Sequence, residues 1–165
     1  MLGVILAAAI TAGPTDQSRM LHAELLAPAR QCLAASAGSL DACLNAADKQ
    51  CVARLVRFEG AKSSDAMLES TCADIENEAW EAARLDAESK LETALLKWKD
   101  TKVPGTVRAA RRAWESYRDN WCEAESGTAP TAFTGQAELA RATCRKALTR
   151  DRLARVRQML EWLNP

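Results

Sequence analysis

An all-α fold, a disulfide-stapled bundle of about four to five helices in mostly antiparallel hairpins, is what this 165-residue sequence predicts. Three observations carry that prediction. Apolar residues recur at spacings of 3 and 4 over several long stretches, as the buried stripe of a helix requires. No stretch of useful length alternates apolar with polar residues as a half-buried strand would. Six cysteines lie within or beside those stretches, where oxidation would clamp neighbouring helices.

The totals narrow the class. A domain of this size buries a sizeable core. Charged residues at 27%, with few glycines or prolines, exclude a disordered or collagen-like chain. Net charge is zero but unevenly placed: residues 1–100 hold 10 Lys+Arg against 15 Asp+Glu, and residues 101–165 hold 12 against 7. Docking of the acidic half onto the basic half accounts for this; an acidic partner for the basic end is the alternative. Neutrality argues against a nucleic-acid binder, which needs surplus cation to displace counterions from phosphate.

Residues 1–12 read as a signal peptide, leaving residues 13–165 as a single exported domain. Leu2–Ala12 (LGVILAAAITA) is uncharged and apolar, and offers Ile10 and Ala12 at cleavage-site positions, although no Lys or Arg precedes it. It is well short of the ~20 residues of a membrane span, so the chain is expected not to cross a bilayer. Cys32, Cys43, Cys51, Cys72, Cys122 and Cys144 all follow it, and an even count there suits an oxidising space, periplasmic or secreted. No C-x-x-C occurs and His22 is the single histidine, so zinc lacks its usual ligands and no cofactor is expected.

The elements follow in order. Pro14-Thr15-Asp16 starts a helix presenting Met20, Leu21, Leu25 and Leu26, which Pro28 is expected to break or restart. A short segment to about Ala35 carries Cys32. Ser36–Ser39 is a turn with Ser39 as N-cap, and the next helix presents Leu40, Cys43, Leu44, Ala47, Cys51, Leu55 and Phe58 before Gly60 ends it. After the Gly60–Ser64 turn, Ser64 or Asp65 caps a long helix from about Ala66 to Lys99. Its seam is Trp80, Ala83, Ala87, Leu91, Ala94 and Trp98. Asp74, Glu78, Glu81, Glu88 and Glu92 gather on the far side, as a solvated face or as a docking surface for a basic partner.

Pro104-Gly105-Thr106 separates that helix from the next, in which Val107, Ala110, Trp114, Tyr117 and Trp121 share one face. So aromatic a face is expected at the centre of the bundle, with Arg108, Arg111, Arg112, Glu115 and Asp119 opposite. Glu123–Gln136 has almost no periodicity and is expected to be a long loop, a common place for function. The last helix, from about Ala137 to Leu163, turns Cys144, Leu148, Leu153, Val156 and Leu160 inward. Arg141, Arg145, Arg152 and Arg155 point largely outward.

This layout selects the disulfides. Cys43 and Cys51 share a helix and are separated by about 12 Å of rise, too far to bond. Cys51 and Cys72 stand at matching distances from the Gly60–Ser64 turn, Cys32 and Cys43 flank the Ser36–Ser39 turn, and Cys122 and Cys144 flank the long loop. The expected pairs are therefore 32–43, 51–72 and 122–144.

Catalytic chemistry is absent from the pattern. His22 lies among apolar residues with no nucleophile near it in sequence, and no glycine-rich phosphate cradle, H-E-x-x-H or acidic metal loop appears. Paired carboxylates occur only in helical charge stripes. The chain does not read as an enzyme.

Several segments do carry a resemblance. Ser63-Ser64-Asp65-Ala66-Met67, then Cys72-x3-Glu76-x3-Trp80-Glu81, Leu85-Asp86, and R-A-W-x-x-Y-R-D-x-x-C from Arg112 to Cys122, followed by Cys144, are similar to the lysozyme-inhibitor LprI-type domain family. The likeness spans roughly residues 30 to 163, with Trp80, Trp114, Tyr117, Arg118 and Asp119 as its signature. Departures are Ser89, where the family tends to place a tyrosine, and Gly127-Thr128, where it tends to carry two glycines. The resemblance implies an exported helical protein whose partner is lysozyme or another glycan hydrolase, occluded without covalent chemistry. The presenting surface would be the turn with Lys62, Ser63 and Ser64, or the loop with Glu123, Glu125, Ser126 and Thr128. A structural or adaptor module of the bacterial envelope is the alternative.

Overall fold

The computed structural model describes residues 16–36, 40–59, 65–97, 103–128 and 135–163. The signal segment and Lys62, Ser63 and Ser64 lie outside them. The elements are α1 (Asp16–Ala35), a 3-10 turn (Asp41–Cys43), α2 (Asp48–Glu59), α3 (Ala66–Leu95), α4 (Val103–Ser126) and α5 (Gln136–Leu163). No strand occurs among the described residues.

The axis of the bundle is α3, against which α1, α2, α4 and α5 all pack. It contributes Ala79, Trp80, Ala87 and Leu91 to a core completed by Leu26, Ala29 and Leu33 of α1 and Leu153 and Val156 of α5. Alanines at 79, 83 and 87 let neighbouring helices approach closely beside the fully buried Trp80. Asp65 caps α3, its carboxylate accepting from the Met67 amide at 3.0 Å. The C-terminus of α1 is closed from a distance: the Arg157 guanidinium donates to the carbonyls of Leu33 and Ser36, each at 2.9 Å.

Four expectations are corrected. The centre of the bundle is α3, not α4: Tyr117 and Trp121 are 51% and 53% exposed. The inward side of α4 is instead set by Cys122, bonded to Cys144, and by arginines that meet carboxylates of α3. Cys122 lies about 100° around the helix from Trp121, so turning the cysteine inward moves the aromatic stripe to the flank. Second, α1 runs unbroken through Pro28. The interior proline forfeits one hydrogen bond, at about 3 kcal/mol, against burial of Leu25, Leu26, Ala29 and Leu33 on both sides of it.

Third, the segment after Leu40 is not one helix. A 3-10 turn ends at Cys43, Asn45 adopts φ +65°, and α2 begins at Asp48. Asparagine tolerates the left-handed region better than most residues, which permits the sharp change of direction. Fourth, helix bounds move: α3 ends at Leu95 rather than about Lys99, α4 starts before Val107, and the stretch between α4 and α5 is shorter than the periodicity indicates. Val103 and Pro104 already belong to the first turn of α4, where proline's missing amide costs nothing. Glu123 to Ser126 form the last turn of the same helix.

The disulfides join Cys32–Cys43, Cys51–Cys72 and Cys122–Cys144, the pairs that hairpin geometry selects. Closing loops of 21 and 22 residues restricts the unfolded chain more than closing 11. Replacing Cys51 and Cys72 together by serine is expected to lower the unfolding free energy by about 3 kcal/mol, read by urea denaturation under non-reducing conditions.

Candidate functional site

A lattice of ionised side chains fills the space between α3, α4 and α5. At its centre Glu88 is fully buried, and its carboxylate receives Arg84 at 2.7 Å, Arg111 at 2.8 Å and Arg152 at 2.9 Å. Arg84, only 2% exposed, also reaches Glu81 at 2.7 Å and Glu115 at 2.8 Å. Arg118 of α4 pairs with Glu81 of α3 and with its neighbour Asp119, while Thr149 of α5 donates to Glu81 at 3.2 Å. Trp114 lies amid this charge, with the guanidinium carbons of Arg84, Arg118 and Arg152 at 4.9, 5.1 and 5.8 Å from its ring. Glu81 and Glu88 therefore do not belong to a solvated stripe, and Arg152 does not point outward. All three are consumed by the packing of three helices.

A second cluster fixes the start of α2. Glu76 of α3 is fully buried, and its carboxylate accepts from the amides of Asn45 at 2.7 Å, Ala47 at 2.8 Å and Asp48 at 3.0 Å. It thus caps α2 from another helix, where the positive end of the helix dipole favours an anion. Trp80 donates its indole N–H to the same carboxylate at 3.2 Å. Lys146 of α5, 3% exposed, is bonded to Asp48 and to the Asn45 side chain at 2.8 Å. Burial pushes the Asp48 carboxyl above its ordinary value of 3.8; its bond to Lys146 pulls it down, and the nearby Glu76 charge raises it again.

The signature residues consequently have different fates. Trp80 is wholly buried, Trp114 is sandwiched by arginines, and Arg118 ties α4 to α3. Glu81 of the Glu76-x3-Trp80-Glu81 segment meets Arg118 of Trp114-x3-Arg118 in the lattice, while Glu76 and Trp80 hold the start of α2, so both segments serve the architecture. Tyr117 stays on the surface, stacked against Trp121 with ring centres 6.1 Å apart. Asp119 remains half-exposed, 3.5 Å from Arg145.

Of the expected partner-facing residues, Ser126 is excluded: it is 2% exposed and its hydroxyl caps the Glu123 carbonyl at 2.8 Å. The Thr128 hydroxyl likewise caps the Glu125 carbonyl at 2.7 Å. Glu123 is exposed and pairs with Arg141 at 2.8 Å, and Glu125 is exposed and accepts from the Trp121 indole at 3.2 Å.

The starts of α3 and α5 lie side by side. Gly135, which opens α5 with φ +73°, lies so close to Met67 at the start of α3 that a β-carbon there would come within 2.9 Å of its Cγ. Only glycine suits both the angle and the approach. Beside this junction Glu69, Leu139 and Thr143 border a cleft of about 540 Å³ that reaches down to Asp48 and Lys146. Asp65 and Glu69 in the first turns of α3, Glu138 in that of α5, and Glu123 and Glu125 in the last turn of α4 are carried by the helix ends around this junction, with Arg141 paired to Glu123.

Truncating Glu88 to alanine leaves three arginines without their buried counter-charge. A loss of about 3–5 kcal/mol is expected in urea unfolding, against under ~1 kcal/mol for Glu92→Ala, whose carboxylate is more exposed. Asp48 has its pKa raised on folding, so its contribution is greatest below 3.8 and declines as pH rises through the folded value. The stability of Asp48→Asn relative to the parent is accordingly expected to rise between pH 4 and pH 7, measured by denaturation of both proteins at each pH.

No helix among the described residues is long and apolar enough to cross a membrane. No curated protein and no solved structure matches the chain. The model of the family described as Lysozyme inhibitor LprI matches residues 59–155, a span covering all of α3 and α4 and most of α5, together with every member of the Glu88 lattice. The chain therefore belongs to the LprI lysozyme-inhibitor family.

Proposed function

We propose that this is an exported, periplasmic or secreted protein that binds a cell-wall glycan hydrolase of the lysozyme type and blocks it by non-covalent occlusion. The observation that carries this reading is the family match across α3, α4 and α5. The bundle's chemistry fits it in two respects. Three disulfides suit an oxidising compartment. The end formed by the starts of α3 and α5 and the finish of α4 concentrates Asp65, Glu69, Glu123, Glu125 and Glu138, which complements a cationic enzyme.

In this reading the buried lattice is scaffold. It holds the acidic end rigid, so little ordering cost is incurred on binding. The turn containing Lys62, Ser63 and Ser64 would add contacts beside Asp65, and Glu123 and Glu125 would steer the encounter. Thr128 would contribute through its exposed side. A non-inhibitory envelope adaptor is the second reading, favoured by one observation: Trp80, Trp114 and Arg118 are used up by the fold rather than displayed.

Titrating the protein into a cell-wall lysis assay with lysozyme separates the two. Inhibition at micromolar protein is expected, weakened about tenfold or more when Glu123 and Glu125 are both changed to lysine, with a slower association rate. Undiminished lysis at saturating protein would leave the adaptor reading.

A further inference from the structure

A cleft of about 550 Å³ runs along α3 between α1 and α5. Its floor is apolar: Ala79, Ala82, Ala83 and Ala87 of α3, with Leu33 of α1 and Leu160 of α5 at the sides. The alanines fall on one stripe of the helix, and their short side chains leave a trough about 12 Å long. A space of this size and lining suits a small molecule with an apolar body.

Cations line one end of the trough. His22 of α1 meets Glu78, and Thr149 and Arg152 of α5 meet Glu81 and Glu88 in turn. Arg157, further along α5, bonds to Leu33 and Ser36 at the end of α1. The three helices therefore run the same way, and Arg30 stands about level with Asp86, with Arg157 near Lys90. Among the residues lining the cleft, these three cations face the single carboxylate of Asp86, which Lys90 already holds at 2.7 Å. Arg157 donates to two carbonyls and the Ser36 hydroxyl, three bonds for five N–H groups, so it is held in place without being neutralised. Arg30 is exposed and makes no ion pair among the described residues. Arg84, Arg111, Arg118 and Arg152, by contrast, all face carboxylates. Unbalanced positive charge at the end of an apolar trough is the complement of an anion with an apolar tail.

We propose that this cleft binds a single-chain anionic amphipath of the medium-chain fatty-acid type, its carboxylate on Arg30 and Arg157 and its alkyl chain over Ala79, Ala82 and Ala83. A planar guanidinium presents parallel N–H groups to a carboxylate, and Arg157 is oriented in advance by its bonds to α1. An extended chain of roughly ten carbons spans the ~12 Å trough. Asp86 lies about 30 Å along α3 from Asp65, at the opposite end from the acidic cluster. This site and hydrolase occlusion therefore stand or fall separately.

Isothermal titration of the oxidised, full-length chain with sodium decanoate, kept below its micelle threshold, tests it. A one-to-one complex is expected, with Kd on the order of 10–100 µM. Decyltrimethylammonium, with the same chain and the opposite charge, is expected to bind at least tenfold more weakly. Arg30→Gln, which breaks no ion pair among the described residues, is expected to weaken decanoate several-fold. Ala82→Phe is expected to do the same by filling the trough from an exposed position, with the cations untouched. Absence of decanoate binding at millimolar ligand would overturn the proposal, as would equal affinity for the cationic analogue. Binding that both Arg30→Gln and Ala82→Phe leave unchanged would also overturn it, and so would acetate or inorganic phosphate binding as tightly as decanoate. Co-sedimentation with phosphatidylglycerol vesicles that Arg30→Gln abolishes would assign the cations to a membrane surface instead.

Discussion

Three ionised side chains on a single helix, Glu76, Arg84 and Glu88, are withdrawn from water, and the rest of the bundle is arranged to meet them. A buried carboxylate without donors costs more than the net stability of a domain can bear. Specific groups therefore meet them: the Ala47 and Asp48 amides and the Trp80 indole for Glu76, Glu81 and Glu115 for Arg84, and Arg111 and Arg152 for Glu88. The rotation of α4 about its axis is one outcome. Facing arginines and Cys122 to α3 and α5 leaves its aromatic residues at the edge.

Much of this architecture was legible in the sequence, and the failures share a cause. The helices, the seam through Trp80, Ala87 and Leu91, and all three disulfides follow from spacing alone, because they depend only on helical geometry and hairpin length. Which charged residues are buried does not follow. Glu76 and Arg84 each lie one turn from Trp80 on its own face, yet charge at such positions normally marks solvent. Only their partners reverse that rule, the amides of Asn45, Ala47 and Asp48 for Glu76 and the carboxylates of Glu81, Glu88 and Glu115 for Arg84, and contacts between segments distant in sequence leave no periodic trace. The same gap misplaced Trp121: an aromatic stripe indicates burial until a stronger constraint claims the other flank. Asn45 is a further case, since the end of one helix and the start of the next are separated by a residue whose backbone angle depends on a carboxylate 31 positions away.

The candidate site divides along the same line. Trp80, Trp114 and Arg118, on which the resemblance in sequence rests, hold helices together, so that motif marks scaffold. That division suits the proposed binding role, with a rigid lattice supporting the helix ends. It also explains why Ser126, attractive in sequence as part of a loop, is inaccessible: its hydroxyl completes the capping of α4.

The cysteine pairs have a consequence for how the chain is made. Each bond joins two cysteines adjacent in order along the polypeptide, none interleaved with or enclosing another. A chain delivered from its N-terminus offers the oxidant first and second cysteines, then third and fourth, then fifth and sixth. Simple first-come oxidation yields the native set, and the molecule can mature without isomerase-driven reshuffling.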